Sequence, residues 1–216
     1  MNVDEAQDRM REIQRIMERA TLFTLLPGAP AVIGGLLVLA GCAVSYAMLR
    51  SVDFAAMLRL SFAAQAWFCV MWFAIGVMGV LIEVICTTRA AAKHQLSPSS
   101  RPLQVAAFSL TPSVIVAMVL TLKFLISNPP GSLPKADEIQ YIVPIWMMLY
   151  GTGVYTAGLF SIRPPRVLGL TFLGLGAVAL LFFLPYGVIS AAMSFGLLHI
   201  LFGLYVILKQ RQTVAA

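Results

Sequence analysis

Residues 62–86 read FAAQAWFCVMWFAIGVMGVLIEVIC, a stretch of 25 residues with one charged side chain, Glu83. An α-helix of about 20 apolar residues crosses the hydrocarbon core of a bilayer, which is roughly 30 Å thick. In lipid the backbone must satisfy its own hydrogen bonds, and an α-helix does so within one segment. The stretch therefore predicts a transmembrane helix.

Five more apolar stretches of similar length flank this one. They are residues 30–49, 103–126, 139–160, 167–184 and 187–208. The composition agrees, because 60% of residues are hydrophobic and 11% are charged, whereas about a quarter of residues in soluble domains are charged. The sequence therefore predicts an all-α fold, a polytopic transmembrane helical bundle of six spans in the lipid bilayer.

The distribution of lysine and arginine predicts the orientation of these spans, because basic residues in short loops stay on the cytoplasmic side. An N-terminus in the cytoplasm leaves eleven basic residues on that side and four on the other. The eleven are Arg9, Arg11, Arg15, Arg19, Arg89, Lys93, Arg101, Arg163, Arg166, Lys209 and Arg211, and the four are Arg50, Arg59, Lys123 and Lys135. With six spans, both termini are predicted to be cytoplasmic. The net charge of +6 then reflects orientation rather than binding to nucleic acid.

The first 29 residues are predicted to form a cytoplasmic amphipathic helix and an interfacial elbow, before a six-helix transmembrane domain at 30–208 and a short cytoplasmic tail at 209–216. Apolar residues recur every three or four positions, which is typical of one helix face; they are Val3, Ala6, Met10, Ile13, Met17 and Ala20. Such a helix either lies at the membrane interface or docks a partner membrane protein or a second copy.

Two ionisable residues within the spans are functional candidates, since such groups are costly in the membrane. His199 lies about nine residues before the end of the last span, near its middle. Gly196 and Gly203 share its helix face, so we expect a neighbouring helix to pack closely there. His199 could carry a proton or bind a ligand, or it could donate one interhelical hydrogen bond. Glu83 is placed about one turn from the cytoplasmic end, where snorkelling or local pairing explains it.

Prolines and glycines within two spans indicate helix breaks. Thr111-Pro112-Ser113 interrupts the third predicted span, Pro144 interrupts the fourth, and Tyr150, Gly151 and Gly153 lie at the middle of the fourth. Discontinuous helices expose backbone groups that can bind a substrate or ion. Kinks satisfied by neighbouring side chains are the alternative.

No catalytic residues, cofactor or metal site are expected from the motifs. The three cysteines lie inside spans without paired spacing, and a zinc site would need three or four ligands where the chain has two distant histidines. The sequence contains no nucleophile elbow, P-loop or dinucleotide fingerprint. The pattern therefore gives no reason to expect an enzyme.

Four segments carry a resemblance to a family. They are MERATLFT at 17–24, LYG at 149–151, GLFSIR at 158–163 and FGLLHI at 195–200. Together they resemble an uncharacterised family of small bacterial six-span inner-membrane proteins. The resemblance implies a location in the bacterial cytoplasmic membrane, and it implies no activity and no site residues.

Two functions follow from these observations. The small size and the amphipathic N-terminal segment favour an accessory, sensory or assembly component of the inner membrane. The helix breaks and His199 favour a small-solute or ion transporter or channel. A polar cavity that reaches His199 and the 150–153 segment would distinguish the second function from the first.

Overall fold

The computed structural model describes residues 5, 7, 9, 10, 28–93, 101–126, 136–159 and 163–215. Every regular element in these residues is helical. In chain order they are α1 (Gly28–Leu49), a 3-10 helix (Phe54–Arg59), α2 (Phe62–Lys93), α3 (Arg101–Ile126), α4 (Ala136–Gln140), α5 (Ile142–Leu159), α6 (Arg163–Phe182), a second 3-10 helix (Leu184–Tyr186), α7 (Gly187–Ala191), a π-helical segment (Ala192–Leu198) and α8 (His199–Ala215). The predicted amphipathic helix of the first 29 residues falls largely outside the described residues.

Six helices of the described chain are long and apolar enough to cross a membrane. They are Gly28–Leu49, Phe62–Ala90, Phe108–Leu125, Glu138–Leu159, Arg163–Phe182 and Leu184–Gln212. The last combines α7, the π-helical segment and α8, and we call it the sixth span. The prediction of an all-α bundle with six spans is confirmed, and the helices indicate a multi-pass membrane protein.

The helices differ from the predicted spans mainly at one end of the bundle. Helix α2 continues to Lys93 rather than ending at Cys86, and α8 continues through the predicted tail to Ala215. Helix α6 begins at Arg163, so the predicted 163–166 connection forms its first turn. Prolines are tolerated there because the first turn has no partner for its backbone N–H groups.

The six spans form two groups of three. In one group α1 packs between α2 and the sixth span, and in the other α5 packs between α3 and α6. The groups meet through Tyr150 of α5, Phe172 of α6 and the sixth-span residues Phe195 and His199. The centre of the bundle is therefore an aromatic contact between the two groups.

Glycines allow the closest helix pairs. A methyl group added at Gly169 would lie 2.7 Å from the Gly151 carbonyl oxygen, and one at Gly203 would lie 2.5 Å from the Gly28 carbonyl oxygen. Small residues let helix backbones approach in membranes, where lipid removes the hydrophobic drive between helices. We call the first contact the α5–α6 seam and the second the α1–sixth-span seam.

One end of the bundle is closed by the loop between α1 and α2. Asp53 caps the 3-10 helix by accepting a hydrogen bond from the Ala55 backbone N–H at 2.8 Å, and its other carboxylate oxygen accepts one from Gln140 at 2.7 Å. The Val188 N–H donates to the Val52 carbonyl at 2.9 Å. The loop therefore joins α4 and the sixth span. We call this the capped end.

The opposite end carries both the start of α1 and the end of α8, and we call it the terminal end. There Arg166 donates from Nε to the Gly158 carbonyl at 2.6 Å and from Nη2 to the Leu159 carbonyl at 3.2 Å. These carbonyls belong to the last turn of α5, where carbonyl groups have no hydrogen-bond partners within their own helix. The guanidinium group thus joins the last turn of α5 to the first turn of α6.

Helices α2 and α3 lie at the edges of the bundle. In the most apolar window of each, 6% of the residues are buried within the protein, against 39% for the span that contains α5. Each edge helix packs mainly against one other span. Most of their apolar surface therefore faces whatever surrounds the protein.

Candidate functional site

The candidate site begins with His199, the first residue after the π-helical segment. Its Nε2 atom lies 2.8 Å from the Tyr150 hydroxyl oxygen, and its ring centroid lies 5.2 Å from that of Phe172 and 6.1 Å from that of Phe195. Phe172 is fully buried. We call these four side chains the aromatic cluster.

A single neutral tautomer of His199 satisfies both of its ring nitrogens. Nδ1 lies 3.4 Å from the Ser194 carbonyl oxygen, and a carbonyl can only accept a hydrogen bond. With the proton on Nδ1, Nε2 accepts from the Tyr150 hydroxyl. The imidazole therefore joins the sixth span to α5 and also bonds within its own span.

The other predicted site residues of the fourth span lie in helix contacts. A methyl group added at Gly151 would meet the backbone of α6 at 2.8 Å, and one at Gly153 would meet Leu110 of α3 at 3.0 Å. Both glycines are buried and helical. Their backbones therefore face neighbouring helices rather than a described opening.

The glycines predicted to share a face with His199 contact a different helix from the one that His199 contacts. A methyl group at Gly203 would meet Gly28 and Val32, and one at Gly196 would meet the Leu39 side chain, all on α1. His199 instead faces α5 and α6. The sixth span thus packs against α1 with one side and against the second group with another.

One predicted helix break does not interrupt a helix, because α3 runs continuously through Pro112. The fourth predicted span is interrupted just before Pro144, at Tyr141 between α4 and α5, and Pro144 lies in the first turn of α5, where its missing N–H is tolerated. A further irregular segment is the π-helix Ala192–Leu198, which sequence analysis did not predict. Its buried Ser194 hydroxyl donates to the Ser190 carbonyl at 2.6 Å. Such π segments are frequent at functional sites.

A second feature lies between α1 and α2. Near the capped end the helices touch, because Trp72 donates from Nε1 to the Ser45 hydroxyl at 3.1 Å and a methyl group at Gly41 would meet Ile75. Toward the terminal end they separate. Methyl groups at Gly34 on α1 and at the α2 residues Gly76 and Gly79 would meet no heavy atom within 4 Å.

Helical geometry places Gly34 and Gly79 on facing sides, and Gly76, about 100° around α2 from Ile75, lies beside this face. Gly34 precedes Gly41 by two turns, and Gly79 follows Ile75 by about one turn, so each lies on the face that makes the α1–α2 contact. Glu83 follows Gly79 by one further turn. We call the space bounded by Gly34, Gly76, Gly79 and Glu83 the α1–α2 cleft.

Glu83 lies farther from the end of its helix than the sequence indicated. Helix α2 ends at Lys93, ten residues or about 15 Å beyond Glu83. The Glu83 residue is exposed. It accepts a hydrogen bond from the Thr87 hydroxyl at 3.3 Å, and it has no ion-pair partner among the described residues.

Glu83 and His199 lie at similar levels. A methyl group added at Gly35 on α1 would contact Gly196 and Ile200, which lie on either side of His199 in the sequence. One added at Gly41 would contact Ile75. From Gly41 to Gly35 is about 9 Å along α1, and from Ile75 to Glu83 is about 12 Å in the same direction along α2. The structure thus places Glu83 at about the level of the aromatic cluster.

The described residues contain no group of three or more His, Cys, Asp or Glu side chains arranged to hold a metal ion. Two of the three cysteines, Cys69 and Cys86, are partly exposed, Cys42 is buried, and all three are free thiols. The structure therefore joins His199 and Tyr150 in a polar pair and places the Glu83 carboxylate at a similar level.

Comparison with known protein families, curated proteins and solved structures finds no match to this chain. The family resemblance drawn from the four sequence segments therefore stays a prediction.

Proposed function

We propose that this protein is an accessory component of the bacterial inner membrane that acts in assembly or sensing through contact with a partner membrane protein. One observation carries the proposal. The polar pair at the centre, His199 and Tyr150, is satisfied internally and surrounded by aromatic rings, while the edge helix α2 presents an exposed carboxylate beside a cleft. In the described residues, aromatic packing surrounds the central polar pair, and the exposed surface of α2 is where a partner is proposed to bind.

The packing of the 150–153 segment supports this function over transport. A pathway built on Gly151 and Gly153 needs their backbone groups to face a substrate. Instead, both glycines lie against neighbouring helices within about 3 Å of an added methyl group. Glycines packed in this way hold helices together, which supports a structural role for this segment.

The proposed orientation has both termini in the cytoplasm. Among the described helices and their connections, seven basic residues lie toward the terminal end and three toward the capped end. The seven are Arg89, Lys93, Arg101, Arg163, Arg166, Lys209 and Arg211, and the three are Arg50, Arg59 and Lys123. Because basic residues are retained in the cytoplasm, the terminal end is proposed to face it. The capped end would then face the periplasm.

Native mass spectrometry tests the proposed function directly. The protein is extracted with mild detergent from its own membrane, and we expect a second protein bound in fixed stoichiometry. Deletion of residues 2–20 is expected to weaken this complex if the N-terminal segment contributes to docking, with insertion of the six spans unchanged. A chain that is found alone or only with copies of itself would contradict the accessory function.

Transport is the second candidate, and Glu83 is the observation that favours it. A carboxylate at the level of a histidine–tyrosine pair is an arrangement through which protons or cations can be exchanged. The Asp53 and Val52 contacts close the capped end, so this function requires them to open. Flux of protons or cations across vesicles containing the protein would be the property to measure.

A further inference from the structure

The α1–α2 cleft has apolar walls and small residues, which suit a transmembrane helix. Exposed apolar residues flank it, among them Ile33 on α1 and Val80 on α2, and Gly76 and Gly79 add no side chain. A helix that entered between α1 and α2 could approach both backbones closely, as helices do at the two seams. Lipid chains could cover the same apolar surface, so shape alone does not identify the occupant.

The Glu83 carboxylate identifies the chemistry of the occupant. An ionised group within the membrane requires an opposite charge, a proton or water. In the described chain it has one hydrogen bond, from Thr87, in which it is the acceptor. Lipid acyl chains offer no donor, whereas an ammonium or guanidinium group on an entering helix would supply both charge and hydrogen bonds.

The described part of this chain does not offer such a cation at the required level. The nearest basic residue along α2 is Arg89, about 9 Å closer to the terminal end. Lys209 lies ten residues, or about 15 Å, beyond His199 along α8, and Arg211 lies farther toward the end of that helix. A second copy would therefore bring another carboxylate to the contact instead of a cation, and like charges at close range repel.

We propose that the α1–α2 cleft binds a transmembrane helix of a different protein, and that this helix carries a lysine or arginine near its middle that pairs with Glu83. The inference rests on the proposed accessory function, since it identifies the surface and the chemistry through which the partner is held. Gly34, Gly76 and Gly79 allow the close approach, and Glu83 selects the partner.

The test uses the full chain in phosphatidylcholine vesicles with a synthetic leucine–alanine transmembrane peptide that has one central lysine and a dansyl group. A matched peptide has norleucine in place of the lysine. Energy transfer from the tryptophans of the chain, including the exposed Trp67 on α2, reports association. We expect the lysine peptide to bind roughly tenfold more tightly than the norleucine peptide.

Two variants assign this preference to the cleft. Glu83→Gln keeps the size and the Thr87 hydrogen bond, and it should remove the difference between the peptides. Leu81→Gln places the same polar group on the opposite side of α2 and should leave the difference intact. Thermal unfolding of both variants in detergent verifies that they are folded.

Several results would overturn the inference. They are equal binding of both peptides, a lysine preference that survives Glu83→Gln, saturable energy transfer between labelled copies without any peptide, and complete displacement of the lysine peptide by n-butylammonium. The third would assign the cleft to a second copy, and the fourth would assign it to a soluble cation. If the native complex exists but is unaffected by Glu83→Gln, this inference fails while the accessory function stands.

Discussion

Along the α5–α6 seam, a methyl group added at Gly151 or Gly169 would lie within 3 Å of backbone atoms, whereas one added at Gly76 or Gly79 in the α1–α2 cleft would meet nothing within 4 Å. The residue type is the same, and both regions lie in helices of similar apolar character. The difference is whether a second backbone is present at the glycine.

This comparison distinguishes the part of the protein that holds itself together from the part that is available to another molecule. In lipid, close packing and interhelical hydrogen bonds stabilise a bundle. The seams and the aromatic cluster use both. Helix α2 is attached to α1 near the capped end, where Trp72 donates to Ser45, and methyl groups added at its glycines in the cleft would meet no heavy atom within 4 Å.

The largest expected effect is at Gly169. An alanine there would meet the Tyr155 backbone nitrogen at 2.5 Å and the Gly151 carbonyl oxygen at 2.7 Å, and backbone atoms cannot move as a side chain can. We expect Gly169→Ala to lower the free energy of unfolding by about 3 kcal/mol, measured by titration with SDS.

Gly174→Ala is the matched control, because it is on the same helix and its methyl group would meet no atom within 4 Å. It should change the free energy of unfolding by less than about 0.5 kcal/mol. Equal losses in the free energy of unfolding for the two variants would mean that close packing at the seam is not the source of stability. That result would contradict the difference between the seam and the cleft.

A smaller effect is expected at His199, which joins the two groups of helices. Replacement by alanine removes the ring contacts with Phe172 and Phe195 and leaves the Tyr150 hydroxyl without its acceptor. We expect His199→Ala to lower the free energy of unfolding by about 2 kcal/mol, again by SDS titration.

The same variant discriminates between the two candidate functions. Proton flux into vesicles, followed with an entrapped pH dye, should be equally low for the wild-type protein and for His199→Ala if the imidazole serves packing. Wild-type flux that His199→Ala abolishes, with the folded amount of protein unchanged, would instead place His199 in a transport mechanism and reject the packing role.

The smallest effect is expected in the cleft. Gly79→Ala adds a methyl group to open space, so the free energy of unfolding should change by less than about 0.5 kcal/mol. A loss as large as that of Gly169→Ala would show that another part of the chain already fills the cleft. A small loss together with weaker binding of the lysine peptide would sharpen the contrast with the seam.

Much of the fold could be predicted from sequence because hydrocarbon imposes one requirement on every span. A run such as 62–86 must be helical whatever surrounds it, since its backbone has no other hydrogen-bond partners. Helix ends were harder to predict, as α2 shows, because a polar extension such as 87–93 can remain helical beyond the apolar run. The π-helical segment carried no recognised signal, since Ala192–Leu198 contains no proline.

The site could be predicted only in its components. The sequence identified His199 and Glu83 as ionisable groups within spans and Tyr150 as part of a predicted helix break, but it could not identify their partners. Tyr150 and His199 are 49 residues apart, and Asp53 and Gln140 are 87 residues apart. Contacts over such separations depend on which helices are neighbours and on how each is rotated, and hydropathy contains neither quantity.

The sequence by itself therefore determined the class of the protein, the number of its spans and the polar residues that they contain, because helix formation in lipid is a local response of each segment to its solvent. Only the tertiary structure decided which glycines pack, which polar groups pair and where α2 separates from α1. Those outcomes depend on distances between segments that are far apart in the chain. For that reason Gly169 packs in the α5–α6 seam, whereas Gly79, the same residue type, lines the α1–α2 cleft.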